Sequence, residues 1–527
     1  MPGWSFAGVW SAVAAEVPDR PALVCGDRTI TWAAFSDRAA RLATHLASAG
    51  VRTGDKVALD MTNRPEYLEA FFAALRLGAV PVNVNYRYLT EEVRYVLDNS
   101  DARAVIHDPA FADVVRAAID GLDTSIAAVV ETGAEYEAAL ARSSPDAAWS
   151  TRAPDGDDLL FLYTGGTTGM PKGVMWRSDD LYRALWQMAR PGSEPPDPRA
   201  AARAGKRAGS CLPACPLMHG TGLFIALSTL SGAGTVVLVD RVGLDPRLLW
   251  TEVERNAVEV LTIVGDVFAR PLLEALEAEP DRWDLSCLRT ITSSGVTWSP
   301  EVKAGLLRHL PKATLIDSLG ASEGLMSRTA STADAAIKPA RFGINDRVRV
   351  LDEDSGKPVT PGTDEVGLLA VTGPIPLGYY KDDAKTAATF KTVDSVRYSI
   401  PGDYATVDAE GTIRLLGRGS ACINTGGEKV YPEEVEVLLR EHPSVADCLV
   451  IGLPDDRFGE SVAALVVPVA GRDLPEASLD AWCRERLSGY KRPRRFLFVD
   501  TLDRSAAGKA DYRRLRTLAL ELVANDR

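Results

Sequence analysis

The stretch Glu66–Val84, EYLEAFFAALRLGAVPVNV, indicates the fold class because it contains a helix, a stop and a strand in succession. Apolar residues recur at helical spacing up to Leu77, and Gly78 then favours the end of the helix. The run Val80–Val84 has the length and composition of a buried strand. Further strand-like runs follow at 104–107, 235–240 and 260–264. Strands that alternate with helices predict an α/β fold with largely parallel sheets covered on both faces.

Domain organisation follows from the chain length and from two changes in composition. The 527 residues exceed what a single hydrophobic core accommodates. Short strands rich in Gly, Pro and Asp between 352 and 404 predict an antiparallel or β-barrel-like subdomain. A glycine-flanked turn at 415–420 precedes a second change. We expect a large N-terminal domain of stacked α/β sheets (1–417), a hinge (418–420) and a small mobile α+β C-terminal domain (421–527).

Composition argues against several classes of function. Hydrophobic residues make up 46% of the chain and charged residues 25%, which is typical of a globular protein. A net charge of −13 argues against nucleic acid as a partner. No apolar run approaches the roughly 20 residues of a membrane span, and the first residues lack the basic region of a signal peptide. Seven scattered cysteines indicate reduced thiols, so we expect a cytoplasmic protein, with a homodimer as one open arrangement.

Residues 162–173, LYTGGTTGMPKG, have the composition of a phosphate-binding loop, since seven of the twelve are Gly or Thr. Gly165 and Gly166 end the strand-like run 159–163 and let backbone N–H groups point into a shared concavity. Lys172 supplies a positive charge for a polyphosphate. A P-loop NTPase is disfavoured because Lys172 lies between Pro and Gly rather than before Ser or Thr; an ordinary glycine-rich turn stays the alternative. The hydroxyl donors of the loop belong to Thr164, Thr167 and Thr168.

Five motifs of the chain occur in the order seen in one protein family. They are LYTGGTTGMPKG (162–173), LGASEG (319–324), PGDYATVDAEG (401–411), GRGSACINTGGEKVYPEEVE (417–436) and DRSAAGKADYRRL (503–515). The chain thereby resembles the adenylate-forming superfamily over nearly its whole length. It is most similar to bacterial acyl-CoA synthetases, including actinobacterial enzymes that act on fatty acids and steroid side-chain acids. The resemblance implies ATP, Mg²⁺ and coenzyme A as cofactors and a small carboxylic acid as substrate.

The resemblance also implies the reaction and the residues that carry it. A carboxylate attacks the α-phosphate of ATP, and the CoA thiol then displaces AMP, so both steps need charge stabilisation. Residues 164–172 hold the β- and γ-phosphates, and Glu323 holds Mg²⁺, a hard cation that prefers oxygen ligands. Asp403 accepts hydrogen bonds from the ribose hydroxyls, and Arg418 assists at the ribose or phosphate. The remaining nucleotide contacts are expected from Ser294, Gly295, Asp317, Ser318, Leu319, Gly320 and Ser322.

The last motif contains Lys509, which matches the family lysine that bridges the substrate carboxylate and the α-phosphate. On its own, a surface lysine is more often a solvated charge. Gly426–Gly427 are expected to line the pantetheine path, where a Cβ obstructs the thiol, and Asn424 or Lys429 to position CoA. Eleven Lys/Arg against four Asp/Glu over 484–516 form either a solvated basic face or a contact for the CoA phosphates.

Two positions depart from the family pattern. An aromatic residue commonly precedes the glycine of LGASEG and stacks on adenine, whereas this chain has Leu319. We therefore expect aliphatic contact with the base. The hinge position after Arg418 is commonly Asp or Lys and is Ser420 here, beside Gly419, which keeps the turn pliable. Rotation of the C-terminal domain between the two half-reactions stays the expectation.

The acyl pocket is predicted from small residues near a histidine. His219, in PLMHGTG, corresponds to the family residue at the pocket entrance, with a structural role as the equal alternative. Small residues predict room for a medium- or long-chain fatty acid or a bulky apolar acid, whose methylenes each contribute about 0.8 kcal/mol on burial. Asp266 is predicted to be a helix N-cap. The small residues are Gly220, Gly222, Ser293, Ser294 and Gly295.

Three other functions stay open on the residues alone. An acyl-AMP ligase or stand-alone adenylation enzyme passes its acyl group to a carrier protein, but no carrier-like domain with a phosphopantetheine serine precedes residue 527. Oxidation of the adenylate, as in luciferases, is compatible with the motifs but required by none. A non-catalytic nucleotide-binding regulator is disfavoured because the charged positions are all present: Lys172, Glu323, Asp403, Arg418 and Lys509.

Overall fold

The computed structural model describes most of the chain. The described residues are 3–120, 122, 126–146, 152–166, 169–203, 209–295, 298–335, 337, 341–418, 423–425, 428–455, 459–487, 489–504 and 510–525. The α-helices are α1 (Phe6–Glu16), α2 (Trp32–Ser48), α3 (Pro65–Leu77), α4 (Thr90–Asn99), α5 (Ala112–Ile119), α6 (Ala134–Arg142), α7 (Ser178–Ala189), α8 (Pro198–Arg203), α9 (Gly220–Ser231), α10 (Pro246–Arg255), α11 (Gly265–Ala278), α12 (Pro300–His309), α13 (Asp383–Thr389), α14 (Pro432–Arg440), α15 (Glu476–Arg484) and α16 (Tyr512–Asn525).

The strands divide into those that precede residue 340 and those that follow it. The first group is β1 (Pro21–Cys25), β2 (Arg28–Thr31), β3 (Lys56–Asp60), β4 (Val80–Asn83), β5 (Ala102–His107), β6 (Ala128–Glu131), β7 (Leu159–Gly166), β8 (Gly169–Arg177), β9 (Ser210–Pro213), β10 (Thr235–Leu238), β11 (Val260–Ile263), β12 (Thr290–Ser294), β13 (Thr314–Ala321) and β14 (Gly324–Ser331). The second group is β15 (Phe342–Gly343), β16 (Val348–Leu351), β17 (Gly367–Thr372), β18 (Gly378–Tyr379), β19 (Phe390–Val393), β20 (Val396–Ser399), β21 (Asp403–Val407), β22 (Thr412–Arg418), β23 (Ile423–Thr425), β24 (Glu428–Val430), β25 (Val445–Asp455), β26 (Gly459–Pro468) and β27 (Arg495–Phe498).

The chain divides into two compact units. The first comprises Met1–Gly166, Met170–Ala340 and Thr372–Ser399, and the second comprises Thr167–Gly169, Arg341–Val371 and Ile400–Arg527. No helix among the described residues is long and apolar enough to cross a membrane. The predicted hinge at 418–420 stays a prediction, since residues 419 and 420 lie outside the described part of the chain.

The first unit contains two large, mostly parallel sheets. The eight-stranded sheet has the order β14-β13-β12-β11-β9-β10-β1-β2, with antiparallel pairs at both edges. The seven-stranded sheet has the order β18-β8-β7-β4-β3-β5-β6. Strands β3, β4, β5 and β6 pair in parallel, and most of their residues are apolar and buried, as expected for strands covered by helices on both faces. Helix α3 is buried along nearly its whole length and ends at Gly78, whose φ of 73° a side chain disfavours.

The second unit contains an antiparallel part and a small α+β part. Strands β15, β22, β21, β17 and β16 pair antiparallel in that order. The C-terminal sheet has five strands in which β25 and β26 form a long antiparallel pair and β27 joins β26 in parallel. Apolar side chains of this sheet pack on α14 and α15 at one face and on α16 at the other. The predicted fold class, α/β with an antiparallel subdomain and a small α+β C-terminal part, is confirmed.

Candidate active site

The predicted phosphate-binding lysine lies on a strand and carries an ion pair. Lys172 is part of β8, and its Nζ lies 2.8 Å from Oδ2 of Asp382. The other carboxylate oxygen of Asp382 accepts the Lys385 backbone N–H at 2.9 Å and so caps α13. The hydrogen bond from Lys172 holds the pKa of the Asp382 carboxyl below its ordinary value. The lysine therefore stands at a defined place, with its charge paired by Asp382.

The predicted metal ligand occupies a two-residue turn between antiparallel strands. Ala321 and Gly324 face each other at the end of the β13–β14 pair, which places Glu323 at the tip. The hydroxyl of Tyr379 donates to Glu323 Oε1 at 2.7 Å. The indole N–H of Trp176, a fully buried side chain of β8, donates to the Ser322 carbonyl at 2.9 Å. Two side chains from elsewhere in the unit therefore hold this turn.

Tyr379 brings Lys172 and Glu323 into one cluster. It lies on β18, where it pairs with Val174 of β8, two residues beyond Lys172. Its ring centroid is 5.8 Å from Lys172 Nζ, within the range of a cation–π contact. Because β8 and β18 belong to the seven-stranded sheet and Glu323 to the eight-stranded sheet, the cluster forms where the two sheets of the first unit meet.

The residues of this cluster fit a magnesium ion carried by a nucleotide. A carboxylate oxygen is the ligand type that Mg²⁺ prefers, and the ion commonly takes one or two carboxylates beside substrate phosphates. Tyr379 engages Oε1 of Glu323, and no described residue donates a hydrogen bond to Oε2. No group of three or more His, Cys, Asp or Glu in the described part of the chain could hold a metal alone. A carboxylate oxygen that accepts from no described residue suits a metal whose other ligands come with the substrate.

Two buried asparagines, which sequence reasoning missed, hold the segments around the predicted loop and pocket. Asn83 donates to the carbonyls of Tyr163 and Met218 and accepts the Tyr163 N–H at 2.6 Å. Asn63 likewise accepts the Leu217 N–H at 2.7 Å. The start of the glycine-rich segment and the residues before His219 are thereby tied to the ends of the parallel strands. A polar residue within the apolar run VPVNV was the available signal, because a buried amide must find partners.

The predicted adenine-side segments lie at the carboxyl ends of β12 and β13. Ser318, Leu319, Gly320 and Ser322 are half-buried. Asp317 is buried, and Lys303, which has no exposed surface, donates to its Oδ2 at 2.6 Å. Burial raises the pKa of the Asp317 carboxyl, and the lysine opposes that effect. This carboxylate is therefore committed to an internal ion pair.

The predicted acyl-pocket residues have mixed environments. Gly222 packs so closely on the backbone that a Cβ there would lie 2.5 Å from the Pro216 carbonyl oxygen, so it is a packing glycine. Gly295 has a φ of 91°, and a Cβ there would lie 3.9 Å from Cγ1 of Val264; Ser294 before it is half-buried. His219 precedes α9 at the N-cap position and is half-buried.

The prediction that Asp266 caps a helix is wrong. Helix α11 begins at Gly265, and the Gly265 N–H is accepted by Ser293 Oγ from β12 at 2.8 Å. Asp266 lies inside the first turn, where its Oδ1 accepts the Ser299 N–H at 2.9 Å. Ser293 is thus a helix-capping residue rather than a free pocket wall. The cap comes from 28 residues further along the chain, beyond the reach of a local rule.

The second unit holds the other predicted residues. Asp403 is half-buried at the start of β21 and stands opposite Arg418 of β22 in the strand register. Asn424 of β23 stands opposite Lys429 of β24. In the first unit, Thr164 is half-buried on β7, and Gly165 and Gly166 end that strand. The predicted residues outside the described part of the chain are Thr167, Thr168, Gly426, Gly427 and Lys509.

Comparison with known proteins decides the family. The AMP-binding enzyme family matches residues 10–380, and the C-terminal domain of AMP-binding enzymes matches residues 434–509. This chain belongs to the AMP-binding enzyme family. It is 43% identical over 517 residues to the medium/long-chain-fatty-acid–CoA/3-oxocholest-4-en-26-oate–CoA ligase of Mycobacterium marinum, covering 94% of this chain and 93% of the other. It is 41% identical over 539 residues to the 3-oxocholest-4-en-26-oate–CoA ligase of Rhodococcus rhodochrous, covering 94% and 92%.

Solved structures of the family agree with the fold. ATP-bound MatB from Rhodopseudomonas palustris is similar with a TM-score of 0.81 and 26% identity, over 97% of this chain and 98% of the other. The prediction from the motifs, an ATP-dependent acyl-CoA synthetase of the adenylate-forming superfamily, is confirmed at the level of family and reaction class. ATP, Mg²⁺ and coenzyme A are accordingly its cofactors.

Proposed function

We propose that this chain joins a medium- or long-chain fatty acid, or a bulky apolar acid such as a steroid side-chain acid, to coenzyme A. The observation that supports the proposed site is that Lys172 and Glu323 both contact Tyr379, the first through its ammonium group and the second through a carboxylate oxygen. A cation for the phosphates and a carboxylate for the metal are the two charges that phosphate activation needs. They come from segments about 150 residues apart, and the contact of each with Tyr379 supports the proposal.

The first half-reaction forms the acyl-adenylate. A carboxylate oxygen of the substrate attacks the α-phosphorus of ATP, the bond to the bridging oxygen breaks, and pyrophosphate leaves. Lys172 and the segment 164–168 hold the β- and γ-phosphates. Glu323 and Asp317–Ser322 lie at the nucleotide, and bound Mg²⁺ offsets the phosphate charge. Lys509 offsets the charge that accumulates when two anions approach each other.

The second half-reaction transfers the acyl group to sulfur. The CoA thiolate attacks the acyl carbonyl carbon, the C–S bond forms, and AMP leaves with the electrons of the broken C–O bond. Gly426–Gly427 admit the pantetheine arm, while Asn424 and Lys429 position CoA. Asp403 and Arg418, which stand opposite each other on adjacent strands, hold the ribose through both steps.

The substrate class is proposed from the relatives and from the composition of one helix. Relatives that share 41–43% identity over more than nine-tenths of both chains are named as ligases of fatty acids and of a steroid side-chain acid. Helix α9, GTGLFIALSTLS, follows His219 and is apolar around most of its circumference, yet Phe224 and Ile225 stay half-buried. Such a helix suits contact with an acyl chain, whose burial contributes about 0.8 kcal/mol per methylene. His219 is proposed at the entrance.

The test is an acid panel from acetate to long-chain and steroid acids, with ATP and Mg²⁺. Mass spectrometry should detect acyl-CoA for long or bulky acids, and Lys172→Met should lower its formation by about 10²–10³-fold. Lys381→Met is the matched control, because the Nζ of this lysine pairs with Asp101 Oδ1 at 2.7 Å and not with Asp382. Accumulation of acyl-AMP alone, with transfer only to a pantetheine-loaded carrier protein, would favour the acyl-AMP ligase instead.

We also propose a cytoplasmic location without a nucleic acid partner, on the grounds of the net charge of −13 and the dispersed thiols. A homodimer is proposed as the assembly. Sedimentation velocity of the purified chain tests the assembly. A mass equal to that of one chain at every protein concentration would exclude the homodimer.

A further inference from the structure

Among the described residues, Tyr379 alone donates a hydrogen bond to the Glu323 carboxylate. Its side chain is 4% exposed, and its hydroxyl lies 2.7 Å from Glu323 Oε1. The turn itself is held through the Ser322 carbonyl, which fixes the backbone but leaves the Glu323 side chain free to rotate. The phenol therefore selects which carboxylate oxygen is engaged and where the other one points.

The environment of Tyr379 makes it a rigid support. Its backbone N–H donates to Thr386 Oγ1 at 2.9 Å, and its strand pairs with β8. Its ring contacts Phe390 edge to face, with centroids 5.8 Å apart. A side chain held at its backbone and at its ring loses little entropy when its hydroxyl donates, so the bond stays in one geometry.

We infer that Tyr379 is a positioning residue for metal-bound ATP. Its hydroxyl occupies Oε1 of Glu323 and thereby presents Oε2 to the metal, while its ring face holds the ammonium of Lys172 nearby. Groups that orient a metal ligand commonly contribute 10–100-fold to metal affinity or activity. This inference rests on the proposed roles of Glu323 and Lys172, and it adds a residue that lies outside all five sequence motifs.

The neighbouring tyrosine provides a matched control. Tyr380 also donates its hydroxyl to a carboxylate, Asp101 Oδ2, at 2.7 Å. Tyr379→Phe and Tyr380→Phe therefore each remove one phenol–carboxylate bond and keep the ring. The two substitutions should lower the melting temperature by similar amounts, whereas only Tyr379→Phe should alter binding of the metal–nucleotide complex.

The experiment measures binding of Mn²⁺·ATP by electron paramagnetic resonance, and of ATP alone in the presence of chelator. For Tyr379→Phe we expect Mn²⁺·ATP affinity about 10–100-fold below that of the unmodified chain, with ATP affinity in chelator nearly unchanged. The KM for Mg·ATP should rise while the KM for the acid stays the same. Tyr380→Phe should behave as the unmodified chain in every binding assay.

Two results would overturn the inference. Unchanged Mn²⁺·ATP affinity in Tyr379→Phe would make the bond structural. Equal losses with and without metal would mean that the tyrosine acts through Lys172 and not through Glu323. The binding assay does not need turnover, so a chain that forms no acyl-adenylate from any acid would refute the proposed function without deciding this one.

Discussion

Removing the charge of Asp382 should tighten ATP binding. This carboxylate stands 2.8 Å from Lys172 Nζ, with side chains 33% and 37% exposed. In water, two unit charges at that distance attract by about 1.5 kcal/mol. Exposed pairs retain about 0.2–1 kcal/mol of that after screening and side-chain entropy. A polyphosphate that binds Lys172 must displace Asp382 from the lysine, and it is also repelled by the negative charge of Asp382. Both effects weaken ATP binding.

Asp382→Asn removes the charge and keeps the helix cap, since Asn and Asp cap helices about equally well. The dissociation constant for ATP should fall by about 1.5- to 5-fold, the equivalent of the 0.2–1 kcal/mol released. Isothermal titration calorimetry at low ionic strength measures the effect. At about 1 M salt, where the Debye length is near 3 Å, the gain should largely disappear.

Asp101→Asn is the matched control, because Asp101 pairs with Lys381 at 2.7 Å and the two side chains are 43% and 45% exposed. Both variants change the net charge equally. Equal tightening in the two would assign the effect to net charge alone. Weaker ATP binding in Asp382→Asn would show that the carboxylate aims Lys172 at the phosphates, which contradicts the competition described above.

Three other outcomes are expected. Lys303→Met should lower the free energy of unfolding by about 3–5 kcal/mol, since Asp317 is left buried without its partner, and adding Asp317→Leu should recover much of it in urea titrations. Burial, with a smaller contribution from Asp108, raises the pKa of Asp60 to about 7. Between pH 4 and 7 this carboxyl therefore ionises in the unfolded chain but stays protonated in the folded chain, so the folded chain loses stability as the pH rises. The difference in unfolding free energy between Asp60→Asn and the unmodified chain should therefore grow by about 2–3 kcal/mol in favour of Asp60→Asn from pH 5 to 7 and then level off. A difference that does not change with pH would contradict the assignment. Lys509→Ala should lose adenylate formation by about 10²–10³-fold yet convert supplied acyl-AMP and CoA normally; loss of both half-reactions in folded protein would refute its separate role.

The elements with local signals were predictable. Helix α3 and strand β4 were expected at 66–77 and 80–84 and are found at Pro65–Leu77 and Val80–Asn83. Gly78 adopts the left-handed conformation that only glycine takes without cost. The glycine-rich segment differs from the expectation of a loop, because β7 runs on to Gly166 and Lys172 lies within β8. The part of β8 that pairs with β18 is Val174–Met175, directly after the glycine-rich segment.

The backbone conformation of Gly295 decides which substitution can test the acyl pocket. Because small residues at 293–295 predict space for the acid, enlarging Gly295 is one way to test the pocket. With a φ of 91° any side chain at this position strains the backbone, so lost activity would report strain and not pocket volume. Phe224, half-buried on α9, has no such constraint. Phe224→Ala is the better change there, because it alters side-chain bulk on a regular helix.

The residues that complete the cluster had no local signal, and the reason is physical. Tyr379 and Glu323 are 56 residues apart, and Lys172 and Asp382 are 210 apart. In each case the partner is chosen by how the strands of the first unit pair and pack, which periodicity within one segment does not encode. Motifs report the residues that meet the substrate, since these recur with the chemistry. The side chains that aim them depend on the contact between two sheets, where the β13–β14 turn meets β8 and β18. Trp176, which lies outside the five motifs, joins β8 to that turn through the Ser322 carbonyl, so a substitution at Trp176 should disturb Glu323 although every motif residue is kept.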